Sequence, residues 1–186
     1  MLAINFHPFP ILETDRLLLR RIDTSDADVI LDLRGNPELM KYIPRPLAKT
    51  REDALAFIEM VDTNWETNTA ITWSITLKEE STNIGNIGFY RIQPENHRAE
   101  IGYMALAEYH GKGYVTEAIH AILTYGFEQL QLHSVEAVID PNNSASERVL
   151  QKNGFVKEAH LLENEMWNGT FLDTVIYSLL KRNYTK

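Results

Sequence analysis

Two kinds of hydrophobic spacing run along this chain, one typical of strands and one typical of helices. Apolar or alternating segments bounded by polar and proline-bearing turns predict strands near 16–22, 71–77, 84–92, 98–106, 134–139, 155–163 and 171–180. Apolar residues at steps of three and four predict helices over about 24–35, 50–65, 115–130 and 144–152. This order of elements predicts an α/β fold with a mixed sheet.

Local signals predict where several of these helices begin and end. Ser25 is expected to begin the first helix, and Thr50 with Asp53 has the form of a capping box ahead of the second. Gly154 is suited to the left-handed position that ends the last helix. These signals depend only on residues that are close along the chain.

A turn with two glycines separates the fourth predicted strand from the third predicted helix. Gly111 and Gly113 stand where the alternation of 99–106 changes to a helical stripe that begins at Val115. A helix N-terminus directs backbone N–H groups and the positive end of the helix dipole outward, and glycines let a pyrophosphate approach the backbone. The turn matches neither GxGxxG nor the P-loop pattern, so alone it predicts either a phosphate cradle or a simple chain reversal.

A second segment, 140–155, follows this turn and decides between the two interpretations. Together the segments resemble the Gcn5-related N-acetyltransferases (GNAT), whose acetyl-CoA site combines a Q/R-x-x-G-x-G/A turn with a later N-x-x-S-x-x-x-L-x-x-x-G-F helix. Residues 143–155 match the second pattern. The branch that holds the ribosomal-protein N-terminal acetyltransferases is most similar, on the residues of 100–103, 111–114 and 116–118. The resemblance extends over about 14–180.

The resemblance implies a single domain over 1–186, a mixed, mostly antiparallel sheet of six to seven strands, about four flanking helices, and acetyl-CoA as co-substrate. It implies that the backbone of the turn binds the pyrophosphate, through His110, Gly111, Lys112, Gly113, Tyr114, Val115 and Thr116. It implies an oxyanion donor, a backbone N–H released where two strands splay, near Met104, Ala105 and Leu106. The chain departs from the family pattern at His110, at Val115, and at Leu150, where many relatives carry a tyrosine that protonates the departing thiolate.

Glu100 is the candidate general base. Alternation over 99–104 places its side chain on the same face as Gly102 and Met104. If that face looks into a cleft, desolvation raises the pKa of the carboxylate toward the working pH, which suits a group that takes a proton from an amine. The alternative is a solvated charge at a strand end, beside Arg98.

Asn143 and Ser146 lie one helical turn apart, so both side chains can face the pantetheine arm of the cofactor. In relatives, an asparagine and a serine at the matching positions contact the cofactor or serve the leaving thiolate. Asn143 is therefore a candidate cofactor ligand, and Ser146 is the candidate general acid. The alternatives are that Asn143 or a neighbour only caps the helix, that Ser144 and Glu147 form a capping box, and that the thiolate leaves unassisted.

Composition limits the classes of function. The 186 residues are 44% hydrophobic, enough for one domain with a core, and the formal net charge of −8 argues against a nucleic-acid partner and suits a cationic acceptor. The chain has no cysteine, so direct acyl transfer is expected, and its six histidines lack metal-ligand spacing, so no metal is expected. An N-terminus without a leader pattern, and no apolar run of about 18 residues, favour the cytoplasm and no membrane.

Three functions remain open at this point. The leading one is an acetyl-CoA-dependent N-acetyltransferase, a monomer or homodimer, that acts on a protein N-terminal α-amino group. The second acetylates a small amine, namely a polyamine, an aminoglycoside or an amino acid, and the third binds acetyl-CoA without turnover. Two sets of residues fit either a cleft or an ordinary structural place, the acidic Glu163, Glu165 and Asp173 and the aromatic Trp65, Trp73 and Trp167.

Overall fold

The predicted strands pair into one sheet. In the computed structural model, which describes residues 1–185, the sheet has eight strands in the order β1-β2-β3-β4-β5-β6-β8-β7. Their bounds are β1 (Leu12–Glu13), β2 (Leu17–Arg21), β3 (Ile71–Leu77), β4 (Thr82–Gln93), β5 (Arg98–Ala105), β6 (Ser134–Ile139), β7 (Val156–Trp167) and β8 (Thr170–Leu180). Neighbouring strands are antiparallel except β5 and β6, which are parallel because a crossover helix joins them.

Helices cover both faces of the sheet. Within residues 1–185 they are α1 (Ala27–Gly35), α2 (Pro37–Met40), α3 (Arg51–Glu66), α4 (Tyr114–Glu128) and α5 (Ser144–Lys152). Apolar side chains of α4 pack in the main core, and a second cluster joins α1 to α3. In β5, Ile101 belongs to the main core and Met104 packs against the second cluster. Because odd and even positions of a strand point to opposite faces, α4 lies on one face and α1 with α3 on the other.

The fold class is confirmed, with two additions. The sheet has eight strands rather than six to seven, since the two-residue β1 is too short to show a periodic pattern. There are five α-helices within residues 1–185 rather than about four, because α2 is a single turn that begins at Pro37. In this part of the chain, none of the helices combines the length and the apolar character needed to cross a membrane.

Two of the three predicted helix signals are confirmed. The Thr50 side chain accepts a hydrogen bond from Asp53 N–H and the Asp53 carboxylate accepts from Thr50 N–H, which completes the capping box. Gly154 has a left-handed φ of +81°. The prediction for Ser25 is wrong, because the Asp23 carboxylate accepts from Ser25 N–H at 2.8 Å and caps a 3-10 turn that precedes α1.

Candidate active site

A gap opens in the middle of the sheet, between β5 and β6. The two strands pair only where Arg98–Glu100 meets Ser134–Glu136. Beyond this point β5 continues along β4 as far as Ala105, whereas β6 continues along β8 as far as Ile139. The edge of β5 that faces β6 therefore presents backbone groups to the gap.

Strand geometry decides which of these N–H groups can serve as an oxyanion donor. Leu106 N–H donates to the Ile84 carbonyl of β4 at 2.9 Å and so faces away from the gap. Because backbone groups alternate in direction along a strand, Met104 N–H also faces β4, and Ala105 N–H faces the gap. This corrects the prediction for Met104 and Leu106 as donors. Ala105 remains the candidate, and its carbonyl is fixed by His110 Nε2 at 2.9 Å.

The glycine turn presents free N–H groups at the start of α4. Gly111 and Gly113 have left-handed φ values of +72° and +82°, and Gly113 is the N-cap of the helix. The first backbone bond of α4 runs from Glu117 N–H to the Gly113 carbonyl at 3.0 Å. The helix offers no acceptor to the N–H groups before that bond, those of Tyr114, Val115 and Thr116. They lie at the positive end of the dipole, which suits a pyrophosphate.

The backbone N–H of His110 is not available to the predicted cradle. His110 N–H donates to the Ala107 carbonyl at 3.1 Å, so this group is already used inside the protein. An ideal Cβ built on Gly111 would meet nothing within 4 Å, so the space in front of the turn can receive a ligand. Lys112 is exposed, with its ammonium 5.2 Å from the centre of the Tyr109 ring. The phosphate-binding prediction therefore stays for Gly111 to Thr116 and is corrected for His110, whose ring instead holds the end of β5.

An ion pair that the sequence patterns did not reveal holds the turn in place. Arg16 Nη2 lies 2.7 Å from Glu117 Oε2, and Arg16 Nη1 donates to the Lys112 carbonyl at 3.1 Å. Glu117 also accepts from Thr14 Oγ1 and from Arg16 N–H. Burial alone would raise the pKa of Glu117, but the hydrogen bonds from Thr14 and Arg16 outweigh burial and lower it. Arg16 and Glu117 are 101 positions apart, so no local signal could have paired them.

Glu100 lies in a desolvated position, as its predicted role requires. Its side chain is 15% exposed, and one carboxylate oxygen lies 2.7 Å from Arg91 Nη1. Burial raises the pKa of Glu100 above its ordinary value, Arg91 opposes the rise, and the nearby Glu136 carboxylate adds to it. Arg98 pairs with Glu136 at 2.6 Å, so the simple alternative of a solvated charge beside Arg98 does not describe Glu100.

Asn143 and Ser146 stand at the N-terminus of α5. The Asn143 side chain caps the helix, since its Oδ1 accepts a hydrogen bond from Ser146 N–H at 3.1 Å. The alternative that Asn143 is a helix cap is therefore confirmed. The Ser146 hydroxyl lies 2.8 Å from Tyr103 Oη, a partner that the sequence patterns did not reveal. Burial raises the pKa of Tyr103 to about 12, although the bond to Ser146 acts in the opposite direction. Tyr103 is therefore a neutral hydroxyl at neutral pH, suited to hold Ser146 in one orientation.

Two further expectations for α5 are settled by packing. Leu150 is fully buried in the main core, so the family's tyrosine position offers no acid here. The capping box of Ser144 with Glu147 is not formed, because Asn143 is the cap and Glu147 Oε1 accepts from Tyr177 Oη. Of the predicted residues, Ser146 remains the hydroxyl that faces the gap.

One cavity is lined by Glu100, Tyr103, Asn143 and Ser146. It has a volume of about 920 Å³ and reaches from α1 and α3, past Tyr90 and Glu100, to the start of α5. Among residues 1–185 its lining includes none of the three tryptophans, and Trp73 is fully buried in the core. Glu165 lines a smaller cavity next to it, and Asp173 binds His160 and Glu163 N–H. In the same part of the chain, no group of three His, Cys, Asp or Glu side chains forms a metal site.

The chain is similar to known acetyltransferases over most of its length. The family model described as "Acetyltransferase (GNAT) domain" matches residues 16–156. An uncharacterized N-acetyltransferase of Bacillus subtilis (strain 168), YoaA, is 38% identical over 173 residues, which cover 93% of this chain and 98% of that protein. The spermidine N(1)-acetyltransferase of Vibrio cholerae is 25% identical, with 91% of this chain and 95% of that protein covered.

Solved structures show the same architecture. The crystal structure of the ribosomal-protein-S5-alanine acetyltransferase from Vibrio fischeri has a TM-score of 0.80 and 25% identity, and covers 95% of this chain and 100% of that one. The two named acceptors, a ribosomal protein and spermidine, belong to proteins that are equally similar to this chain. What these relatives share is the name of an acetyltransferase. The chain therefore belongs to the GNAT family and is an N-acetyltransferase that uses acetyl-CoA.

Proposed function

We propose that this enzyme acetylates the α-amino group at the N-terminus of a protein, as the ribosomal-protein acetyltransferases do, by direct attack of the amine on acetyl-CoA. One observation carries the proposal: Glu100 and Ser146 line the same cavity at the gap between β5 and β6. Glu100 lies on the α1–α3 face of the sheet, and Ser146 is bonded to Tyr103, whose side chain lies on the α4 face. A base on one side of this gap and a proton donor on the other fit direct transfer of the acetyl group to the amine.

Each step can be assigned to a residue of the chain. Glu100 takes a proton from the amine as the new C–N bond forms, and Ala105 N–H stabilises the negative oxygen of the tetrahedral intermediate. Ser146 donates a proton to the sulfur as the C–S bond breaks, while Tyr103 holds the Ser146 hydroxyl in place. Solvent then carries the proton from Glu100 back to Ser146. The products are the N-acetylated acceptor and the free thiol of coenzyme A.

Two features support a peptide-like acceptor over a polyamine. A volume of about 920 Å³ lies near the upper end of small-molecule pockets and leaves room for several residues of a peptide. Three arginines, Arg34, Arg45 and Arg91, and two carboxylates, Asp53 and Glu100, line the cavity, so the lining offers a polycation no excess of negative charge. The acidic net charge of the chain therefore does not describe this cavity, in contrast to the expectation of a cationic acceptor.

Thiol release from acetyl-CoA tests the proposal directly. The panel contains N-terminal peptides that begin with Ser or Ala, the same peptides with a blocked N-terminus, spermidine, an aminoglycoside and free amino acids. We expect turnover with free N-termini, none with blocked ones, and strong loss in Glu100→Gln. Turnover confined to spermidine or the aminoglycoside would contradict the proposal and identify a small-amine acetyltransferase instead.

A further inference from the structure

Arg34 is a partly buried cation without a carboxylate partner. It lies on α1 and lines the cavity, and its guanidinium stacks over the Phe57 ring with 4.4 Å to the ring centre. Within residues 1–185, no Asp or Glu forms an ion pair with it. Burial lowers the pKa of Arg34, the nearby Tyr90 opposes this effect, and the nearby Arg45 adds to it. Because a guanidinium stays charged and its burial is unfavourable, this arrangement favours the binding of an anion beside Arg34.

The other charges of the cavity are already occupied or weakly paired. Arg91 is bound to Glu100 at 2.7 Å. The Asp53 carboxylate accepts from Lys49 N–H and Thr50 N–H at the start of α3. Arg45 is 51% exposed and lies 3.8 Å from Glu165, a long ion pair. Two guanidiniums that repel each other, those of Arg34 and Arg45, therefore face one cavity.

Arg45 is close to the candidate base as well as to Arg34. Arg45 and Glu100 line both the large and the smaller cavity, and Tyr90, which also lines the large cavity, is the cross-strand neighbour of Glu100. An anion at the two arginines would therefore lie in the same cavity as the reacting amine. An acceptor that fills both positions must carry its negative charge close to its amino group.

Resting on the proposed function, we propose that the acceptor carries a carboxylate close to the amine that is acetylated, and that Arg34, helped by Arg45, binds this carboxylate. The planar guanidinium can donate two parallel hydrogen bonds to a carboxylate, which favours this anion over a neutral amide of the same shape. In a protein acceptor, the carboxylate is an acidic side chain within the first residues. In a free amino acid it is the α-carboxylate, and the experiment separates these two sources.

The test compares peptides that differ only in charge. We measure kcat/KM for peptides that carry Glu, Gln or Lys at position one, two or three, and for free glutamate and glycine as a second arm. At one of these positions we expect kcat/KM of the Glu peptide to exceed that of the Gln peptide by about 10- to 100-fold, the range for a charge-assisted hydrogen bond. In Arg34→Gln, the ratio of kcat/KM for the Glu peptide to kcat/KM for the Gln peptide should fall to about one. Arg34→Lys should restore part of the preference, since it keeps the charge and loses the planar fork.

A matched control is Arg51→Gln. Arg51 lies on α3 with its Nε 3.2 Å from Asp28, and it does not line the cavity. This variant should keep the full preference for Glu, and melting temperatures of all variants check that the fold survives. A wild-type enzyme without a charge preference at any position, or a preference that persists in Arg34→Gln, would overturn the inference.

The design also separates this inference from the proposed function. If free amino acids turn over with a dependence on Arg34 and no peptide does, the carboxylate site stands and the protein acceptor is wrong. If nothing turns over, calorimetric binding of the Glu and Gln peptides to the coenzyme A complex still measures the preference. Tighter binding of the Glu peptide that is lost in Arg34→Gln supports the inference, and equal binding refutes it.

Discussion

Gly113→Val is the sharpest test of the phosphate cradle. Gly113 has a φ of +82°, and a Cβ there would come no closer than 3.5 Å to Arg16 Nη2, an ordinary contact. The cost of the substitution is therefore backbone strain, on the order of 2 kcal/mol for a β-branched residue in the left-handed region. This is small against a total stability of about 5–15 kcal/mol, so the fold should survive with a melting temperature lowered by roughly 4–8 °C.

The effect on the co-substrate should be larger than the effect on the fold. Valine relieves its strain by turning toward a right-handed conformation, which redirects the N–H groups at the start of α4. Loss of one hydrogen bond to a charged phosphate, about 1.5–3 kcal/mol, raises the Kd for acetyl-CoA by roughly 10- to 100-fold. Isothermal titration of the folded variant with acetyl-CoA measures this change.

Gly169→Val is the matched control for this experiment. Gly169 has a φ of +80°, a Cβ there would meet nothing within 4 Å, and it lies in the turn between β7 and β8. The two variants should lose similar stability, because the strain is the same, and only Gly113→Val should lose affinity. Unchanged affinity in Gly113→Val, or an equal loss in both variants, would refute the cradle.

Further predictions concern the chemistry at the gap. Glu100→Gln should lower kcat by about 10²-fold with an unchanged acetyl-CoA Kd. This loss of kcat should shrink as the pH approaches the pKa of the acceptor amine. Full activity of the variant at neutral pH would show that Glu100 is not the base. In the wild type, kcat/KM should fall as the pH drops through the pKa of Glu100, which burial raises above 4.5. Arg91→Gln removes the cation that opposes this rise, so the acid limb should move to higher pH, and a limb that stays in place would contradict the assignment. Ser146→Ala should reduce kcat by roughly tenfold or more with normal acetyl-CoA binding. Tyr103→Phe should reduce kcat by less, because Tyr103 only orients Ser146. If Ser146→Ala reacted at the full rate, water would be the donor of the proton to the departing thiolate.

The sequence by itself determined the elements whose signals are local. The strands at 71–77 and 134–139 and the helix at 144–152 lie where the patterns predict them, because apolar periodicity reflects which side of an element is buried. The same holds for the box of Thr50 with Asp53 and for the glycine turn, whose conformations depend on neighbours along the chain. Local rules fail where two local signals compete, as at Ser25, where the Asp23 carboxylate is the stronger acceptor.

Only the tertiary structure decided how the site is assembled. The partners of Glu117 and Ser146 come from residues 101 and 43 positions away, and pairing over such distances depends on how the sheet and helices pack. The raised pKa of Glu100 follows from burial, and Arg34 lines the same cavity, an arrangement that no spacing along the chain encodes. The sequence thus determined which residues could do the chemistry, whereas long-range packing decided which of them meet, because desolvation and charge depend on neighbours in space rather than along the chain.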